Sequence, residues 1–157
     1  MALVEVEIAP ERPDSETASE LLALYYAELD SRFPGGFDPD RAIAVSPPEL
    51  LAPKGAFLVA RLDGHPVGCG SVRKLGESTA EIKRMWIDPV ARRCGVGRRL
   101  LAALEAKAVE LGCRSIRLDT NAHLTEAVAL YRSSGYVEVP AYNDNPYAAH
   151  WFEKALV

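Results

Sequence analysis

Arg92-Arg93-Cys94-Gly95-Val96-Gly97-Arg98-Arg99 decides how this chain is read. Four arginines and two glycines crowd into eight residues. A strand-like run precedes them. A helical pattern follows, with Leu100, Leu101, Leu104, Ala108 and Leu111 on one side and Gly112 as its stop. Glycine lets a backbone turn tightly and bring its N–H groups against a ligand. A helix that begins there adds unpaired N–H groups and the positive end of its dipole. Together these make a seat for a phosphate or diphosphate, and arginine forks add charge-assisted hydrogen bonds. Arginines crowded at the positive end of a helix are unfavourable without an anion, so the segment points to an anionic ligand rather than to a merely solvated surface.

The rest of the chain has the opposite electrical character. Its net charge is −4 over 157 residues, which argues against a nucleic-acid partner. Apolar residues make up 48% and charged residues 25%, the balance of one soluble domain spanning residues 1–157. No apolar run approaches the ~18–20 residues that cross a bilayer, so no membrane partner is expected. Met1-Ala2-Leu3-Val4-Glu5-Val6-Glu7 lacks the basic-then-apolar pattern of a signal peptide. The three cysteines (Cys69, Cys94, Cys113) are too scattered for a disulfide framework or a zinc site. His65, His123 and His150 have no metal-ligand spacing. A cytoplasmic protein without a metal is the expectation.

Working outward from the loop, Leu3 to Ile8 alternates in strand fashion, with Val4, Val6 and Ile8 on one face. Asp14 or Ser15 caps a helix to about Leu29, with Leu21, Leu22, Tyr25 and Leu29 inward. Residues 30–46 are irregular, and Ser46-Pro47-Pro48-Glu49 opens a short helix. Ala56 to Leu62 and Pro66 to Leu75 form a hairpin about Asp63-Gly64, followed by a strand from Thr79 to Ile87. After the loop come a helix from Gly97 to Leu111, a strand from Ser115 to Thr120 and a helix from Thr125 to Ser133. Strands at Tyr136 to Val139 and His150 to Ala155 close the chain. The order β-α-α-β-β-β-α-β-α-β-β describes a single mixed α/β sheet.

This order, with that loop, resembles the GCN5-related N-acetyltransferase (GNAT) superfamily. Arg92-Arg93-Cys94-Gly95-Val96-Gly97 fits its acetyl-CoA signature, Gln/Arg-x-x-Gly-x-Gly/Ala, at every fixed position. Ala80-Glu81-Ile82-Lys83-Arg84-Met85-Trp86-Ile87-Asp88-Pro89 resembles the family's central strand and exit turn. Ala127-Val128-Ala129-Leu130-Tyr131-Arg132-Ser133-Ser134-Gly135-Tyr136 resembles its second signature. The resemblance implies a single mixed, mostly antiparallel central sheet with a splayed parallel strand pair and flanking helices, the acyl-CoA N-acyltransferase fold. It also implies direct transfer of the acetyl group of acetyl-CoA, as cosubstrate, to an amine.

On that resemblance, main-chain groups of Met85, Trp86 and Ile87 bind the pantetheine arm and polarise the thioester. The N–H groups from Arg93 through Cys94, Gly95, Val96 and Gly97 to Arg98 cradle the diphosphate. Arg92 and Arg98 add side-chain contacts, and the ribose phosphate is left to Arg93 or Arg99. Asn121 would contact the pantetheine; read alone, it caps the following helix. Cys94 could form a mixed disulfide with CoA, although a plain small loop residue is the simpler reading.

Acylating an alkyl amine at pH 7 costs about 4 kcal/mol for its proton, which makes a general base useful. Glu81 is the first candidate, at the offset from Arg92 where the histone-acetylating branch carries its glutamate. Read alone, it faces solvent or pairs with Lys83. Tyr131 is the candidate acid or thiolate stabiliser. Full proton transfer to an unperturbed thiolate is uphill by roughly 2 kcal/mol, whereas a tightening hydrogen bond is not.

The acceptor is expected between the first helix and the loop before the last strand. Glu28, Asp30 and Asp144 would attract a cationic amine there, Arg32 would bind a carboxylate, Asn143 would add a hydrogen bond, and Arg84 on the central strand could also face the site. These features favour a small polar amine. A protein lysine or N-terminus and a non-catalytic acyl-CoA-binding module are the alternatives. The resemblance leaves a homodimer open.

Overall fold

The computed structural model describes residues 5–156. Leu3 and Val4, expected in the first strand, lie outside the described residues. Strand β1 (Val6–Pro10) runs on to Pro10 at the edge of the sheet, where a missing N–H is tolerated. Helix α1 (Glu16–Arg32) is capped by Ser15, whose Oγ accepts from the Ala18 N–H at 3.0 Å. The short helix expected after Ser46 is a single 3-10 turn, Pro47–Leu50. Two successive prolines withdraw N–H donors there, and Pro53 follows too closely for a second turn.

β2 (Gly55–Leu62) and β3 (His65–Lys74) turn through Asp63 and Gly64, with φ of 49° and 86°, the left-handed pair that a type I′ hairpin needs. β4 (Thr79–Ile87), α2 (Val96–Glu110), β5 (Ser115–Thr120) and α3 (Thr125–Ser133) follow. β6 (Val137–Val139) starts later than expected because the Tyr136 N–H still bonds the Tyr131 carbonyl at 3.1 Å, closing α3 around Gly135. β7 (His150–Ala155) is the last strand.

The strands lie in the order β1-β2-β3-β4-β5-β7-β6, and only β4 and β5 are parallel. Both faces are covered. Leu58, Val72, Ile82 and Leu118 pack with Leu100 and Leu104 of α2, and Tyr131 of α3 joins the same cluster. Phe57, Val59, Cys69 and Trp86 pack on the other face with Ala18 and Leu21 of α1. A central strand covered on both sides reads as a near-continuous apolar run, as Phe57-Leu58-Val59-Ala60 does.

Candidate active site

β4 and β5 are paired only over Thr79–Ser115, Ala80–Ile116 and Glu81–Arg117. Beyond that they part. The cause is a bulge in β4: Cys69 of β3 faces Trp86 and Ser71 faces Lys83, so Arg84 and Met85 together oppose Gly70. Arg84 takes a φ of 57°, a conformation that costs a side-chain-bearing residue about 1 kcal/mol or more. Past the bulge, the Asp88 N–H bonds the Val67 carbonyl at 2.7 Å. Strand alternation then turns the main-chain polar groups of Met85 and Ile87 toward the gap.

The gap opens onto the basic loop. Arg93 and Gly95 have φ of 65° and 79°, so successive peptides turn their N–H groups to one concave side. Among the described residues, none of the N–H groups from Arg93 to Arg98 has a hydrogen-bond partner; the Arg99 N–H is the first to bond back, to Gly95 at 3.1 Å. Six adjacent free amides at the start of a 15-residue helix form an anion cup.

A cleft of about 780 Å³ runs from this cup along β4, lined by Gly95, Gly97, Arg98 and Trp86 among others. A smaller inner pocket of about 150 Å³ lies on the other side of the bulge. Tyr25, Leu29, Met85, Leu124, Ala127 and Tyr131 line both, so the two cavities meet at these side chains. Tyr131 is 6% exposed, and among the described residues the one hydrogen-bond partner of its hydroxyl is the Met85 sulfur, at 3.8 Å. Burial, with the negative charge of Asp119 adding to it, pushes this hydroxyl's pKa well above its ordinary value. Tyr131 therefore holds its proton at the point where the cavities join.

The inner pocket is walled by a run of aromatic rings. Tyr26 lies 5.6 Å from Phe37, which lies 4.8 Å from Tyr147, which lies 5.6 Å from Phe33. Asp119 is the one carboxylate among its lining residues. Three donors hold it: Asn143 Nδ2 at 2.6 Å, Asn145 Nδ2 at 2.9 Å and Lys83 Nζ at 3.4 Å.

The structure gathers some of the expected residues and sends others elsewhere. Met85, Trp86, Ile87, Arg92, Arg93, Gly95, Gly97, Arg98 and Tyr131 all line the large cleft. Val96 points its side chain into the core beside Ala60 and Ala91, and Cys94 is exposed and outside both cavity linings, so each offers only its N–H to the cup. The Arg92 guanidinium turns inward to Glu28 rather than toward the cup. Glu28 and Arg32 line the large cleft, not the inner pocket, and are joined at 3.3 Å; Arg32 also reaches Glu126 on α3 at 3.0 Å. Asp30 is exposed and holds a turn by accepting from the Phe37 N–H at 2.8 Å. Asn143 buttresses Asp119 and accepts from Trp151 Nε1 at 3.0 Å, outside either lining. Asn121 lines the inner pocket, but its amide accepts from the His123 N–H and donates to the Tyr147 carbonyl; α3 begins later, with Leu124 at its N-cap and no side-chain cap, so Asn121 does not take the capping role open to it from sequence.

Glu81 departs furthest from expectation. It is 1% exposed and lines neither cavity. Arg73 Nε and Nη2 lie 3.0 Å away, Tyr142 donates to it at 2.7 Å, and Lys83 Nζ is 3.5 Å off. Its residue type and offset matched the motif, but it sits ahead of the bulge and is turned into an ion-pair cluster. Asp119, which faces the pocket instead, went unnoticed. Its place beside Asn121 at the mouth of the splayed strand was the available signal.

A splayed strand pair, a cup of free amides and a buried tyrosine between two joined cavities define an acyl-CoA-dependent transferase. The sequence profile of the acetyltransferase (GNAT) family matches residues 20–136. The chain is 36% identical over 135 residues to the IAA acetyltransferase of Azospirillum brasilense, covering 85% of each. It is 33% identical over 120 residues to the N-alpha-acetyltransferase RimI of Mycobacterium tuberculosis, covering 72% of this chain and 71% of that one. Its fold matches the PaiA N-acetyltransferase of Thermoplasma acidophilum, crystallised with coenzyme A, with a TM-score of 0.73 at 18% identity over 96% of this chain and 99% of the other. The chain belongs to the GNAT family and is an acetyl-CoA-dependent N-acetyltransferase. No helix among the described residues is long and apolar enough to cross a membrane.

Proposed function

We propose that this enzyme acetylates a small amine held in the inner pocket, with acetyl-CoA lying along the large cleft. The observation that carries the reading is the meeting of the two cavities at side chains that include Met85 and Tyr131. The amides of Arg93 to Arg98 bind the diphosphate, and Arg98 adds its side chain at the cleft wall. The main chain of Met85 and Ile87 pairs with the pantetheine arm as an added strand would. The amine attacks the thioester carbon, the carbonyl oxygen gains charge against β4 N–H groups, and the leaving thiolate receives a hydrogen bond from Tyr131. Asp119 takes the role expected of Glu81: it draws the ammonium form into the pocket and accepts its proton before attack.

The aromatic wall of Phe33, Phe37 and Tyr147 narrows the pocket and favours a small acceptor over a folded protein. An α-amino terminus of a peptide is the second reading, supported by likeness to the Mycobacterium tuberculosis relative. Calorimetry with acetyl-CoA tests the cofactor half. Wild type should bind, and Gly97→Leu, whose side chain would grow from a cleft-lining position toward Leu130 and Ile87, should not. Unchanged affinity in that variant would remove the cup from the mechanism. Release of free thiol with amine panels, set against short peptides, tests the acceptor half.

A further inference from the structure

The inner pocket carries a cation that no carboxylate among the described residues neutralises. Two basic residues line it, Lys83 and Arg84. Lys83 is accounted for, lying between Glu81 at 3.5 Å and Asp119 at 3.4 Å. Arg84 is not. Among the described residues it has no carboxylate within 4.0 Å, and the one hydrogen bond of its guanidinium is a long one, Nη2 to the Val45 carbonyl at 3.4 Å. A guanidinium has five N–H donors in a planar fork that matches a carboxylate. Arg84 lines the same pocket as Tyr26, Phe33, Phe37 and Tyr147, a largely apolar wall against which an unpaired charge is costly. The residue is also held in the left-handed conformation of the bulge, so its placement is set against a local backbone preference.

The arginines of the cup do not compete for this task. Arg92, Arg93 and Arg98 line the large cleft, and Arg84 lines only the inner pocket. The anion that completes Arg84 therefore belongs to the acceptor rather than to CoA. Opposite charges within one pocket, Asp119 and Arg84, match a molecule with an ammonium at one end and a carboxylate at the other. The rings of Tyr26, Phe33, Phe37 and Tyr147 match a flat apolar body.

We infer that the acceptor is an aromatic amino acid or a close analogue, its carboxylate bound by Arg84, its amine directed toward Asp119 and the thioester, and its ring held by the aromatic wall. The transfer balances without a further reactant: a C–N bond forms as the C–S bond breaks, and of the two protons the ammonium gives up, one leaves by way of Asp119 to solvent and the other reaches the thiolate. This inference rests on the transferase reading above, and the experiment separates the two.

Free-thiol release is followed with phenylalanine and tryptophan, with phenethylamine and tryptamine as their decarboxylated counterparts, and with leucine and spermidine. Acetyl-CoA binding is measured in parallel by calorimetry. Wild type should favour phenylalanine or tryptophan over its decarboxylated counterpart by roughly ten- to hundredfold in kcat/KM, the scale of a hydrogen bond to a charged group, and should favour it over leucine and spermidine. Arg84→Gln should remove most of that ratio through KM, with acetyl-CoA affinity and melting temperature retained; Arg84→Lys should restore part of it. Equal use of the decarboxylated amines, or acetyl-CoA binding with no turnover of either aromatic amino acid, overturns the inference and leaves the transferase reading in place. Failure of acetyl-CoA to bind the folded wild-type protein overturns both.

Discussion

Arg92 Nη2 lies 2.7 and 2.8 Å from the two carboxylate oxygens of Glu28, while Arg92 Nε donates to the Ile87 carbonyl at 2.9 Å. The first arginine of the phosphate-loop motif is therefore a strut. It ties α1 to the end of β4 and fixes the chain where the cup begins. Trp86 Nε1 reaches the same carboxylate at 3.2 Å, so two residues of the cleft wall depend on Glu28. The free amides can act as a preformed anion site only if the loop holds its shape without the anion, and this strut supplies part of that rigidity.

The strut has a pH signature. Burial raises the Glu28 pKa, but hydrogen bonds from Arg92, Trp86 and Arg32 outweigh it and leave the group below its ordinary value of 4.5. A depressed carboxylate stabilises the fold above its unfolded pKa, and that contribution is lost as pH falls through the folded value. Glu28→Gln should thus cost about 1–3 kcal/mol at pH 7, and the gap to wild type should narrow as pH falls below 4.5. Urea unfolding of both proteins at pH 7 and at pH 3.5 reads it directly. An equal gap at both would mean that the carboxylate charge is not what holds the strut.

The Glu81 cluster and Asp119 are separable in the same way. Arg73 is 11% and Glu81 1% exposed at their side chains, so removing the carboxylate leaves a largely buried guanidinium with Glu49, at 2.8 Å, as its remaining carboxylate partner. Glu81→Gln should lower unfolding free energy by about 1–3 kcal/mol, the scale of lost hydrogen bonds to a charged group, while kcat at a temperature where the variant is folded falls little. Asp119→Asn should do the reverse: a kcat loss on the order of 10²-fold or more. Asn145→Ala, which loosens the same loop without removing the carboxylate, is the control. If Glu81→Gln lowers kcat and Asp119→Asn does not, the base belongs to Glu81 after all.

These two carboxylates show where sequence reading runs out. Ile82 and Trp86 are four residues apart and would share a face of a regular strand, yet they pack in clusters on opposite sides of the sheet. The bulge at Arg84 and Met85 reverses the alternation. Nothing in Lys83-Arg84-Met85-Trp86 announces it, because the residue with positive φ is an arginine rather than glycine or asparagine. Strands with clean patterns were legible almost to the residue, as Thr79–Ile87 and Ser115–Thr120 show. The cup was legible too, since glycine spacing and a helix start set its geometry locally. Which carboxylate lines the inner pocket was not legible. That depends on the bulge and on Asn143 and Asn145 reaching back to Asp119, contacts between segments distant in sequence.

The cup can be probed through its own thiol. Cys94 is exposed, whereas Cys69 and Cys113 are buried. Burial pushes the Cys69 thiol up to about 12 and raises that of Cys113, so neither forms thiolate readily. One cysteine should therefore react quickly with iodoacetamide in the folded protein, and mass mapping should place the label on Cys94. Coenzyme A lying over the amides on either side of it should slow that labelling several-fold. Rapid labelling of all three, or of Cys94 alone at a rate indifferent to coenzyme A, would argue that the loop does not seat the cosubstrate.

Tyr131 gives the sharpest separation of chemistry from binding. Its ring packs 5.8 Å from Tyr136 and 6.2 Å from Phe152 between centroids, contacts that Tyr131→Phe keeps, so the variant should fold normally. What it loses is a hydroxyl whose one hydrogen-bond partner among the described residues is the Met85 sulfur. A donor with so weak a partner in the ground state gains most when a thiolate forms beside it, and an interaction that grows along the reaction lowers kcat when removed. Tyr131→Phe should reduce kcat roughly a hundredfold with acetyl-CoA affinity within about twofold of wild type. Because burial raises the Tyr131 pKa above 10, its protonated form persists, and wild-type kcat should show no loss attributable to this group up to about pH 9. A drop in acetyl-CoA affinity without a fall in kcat would assign Tyr131 to binding alone.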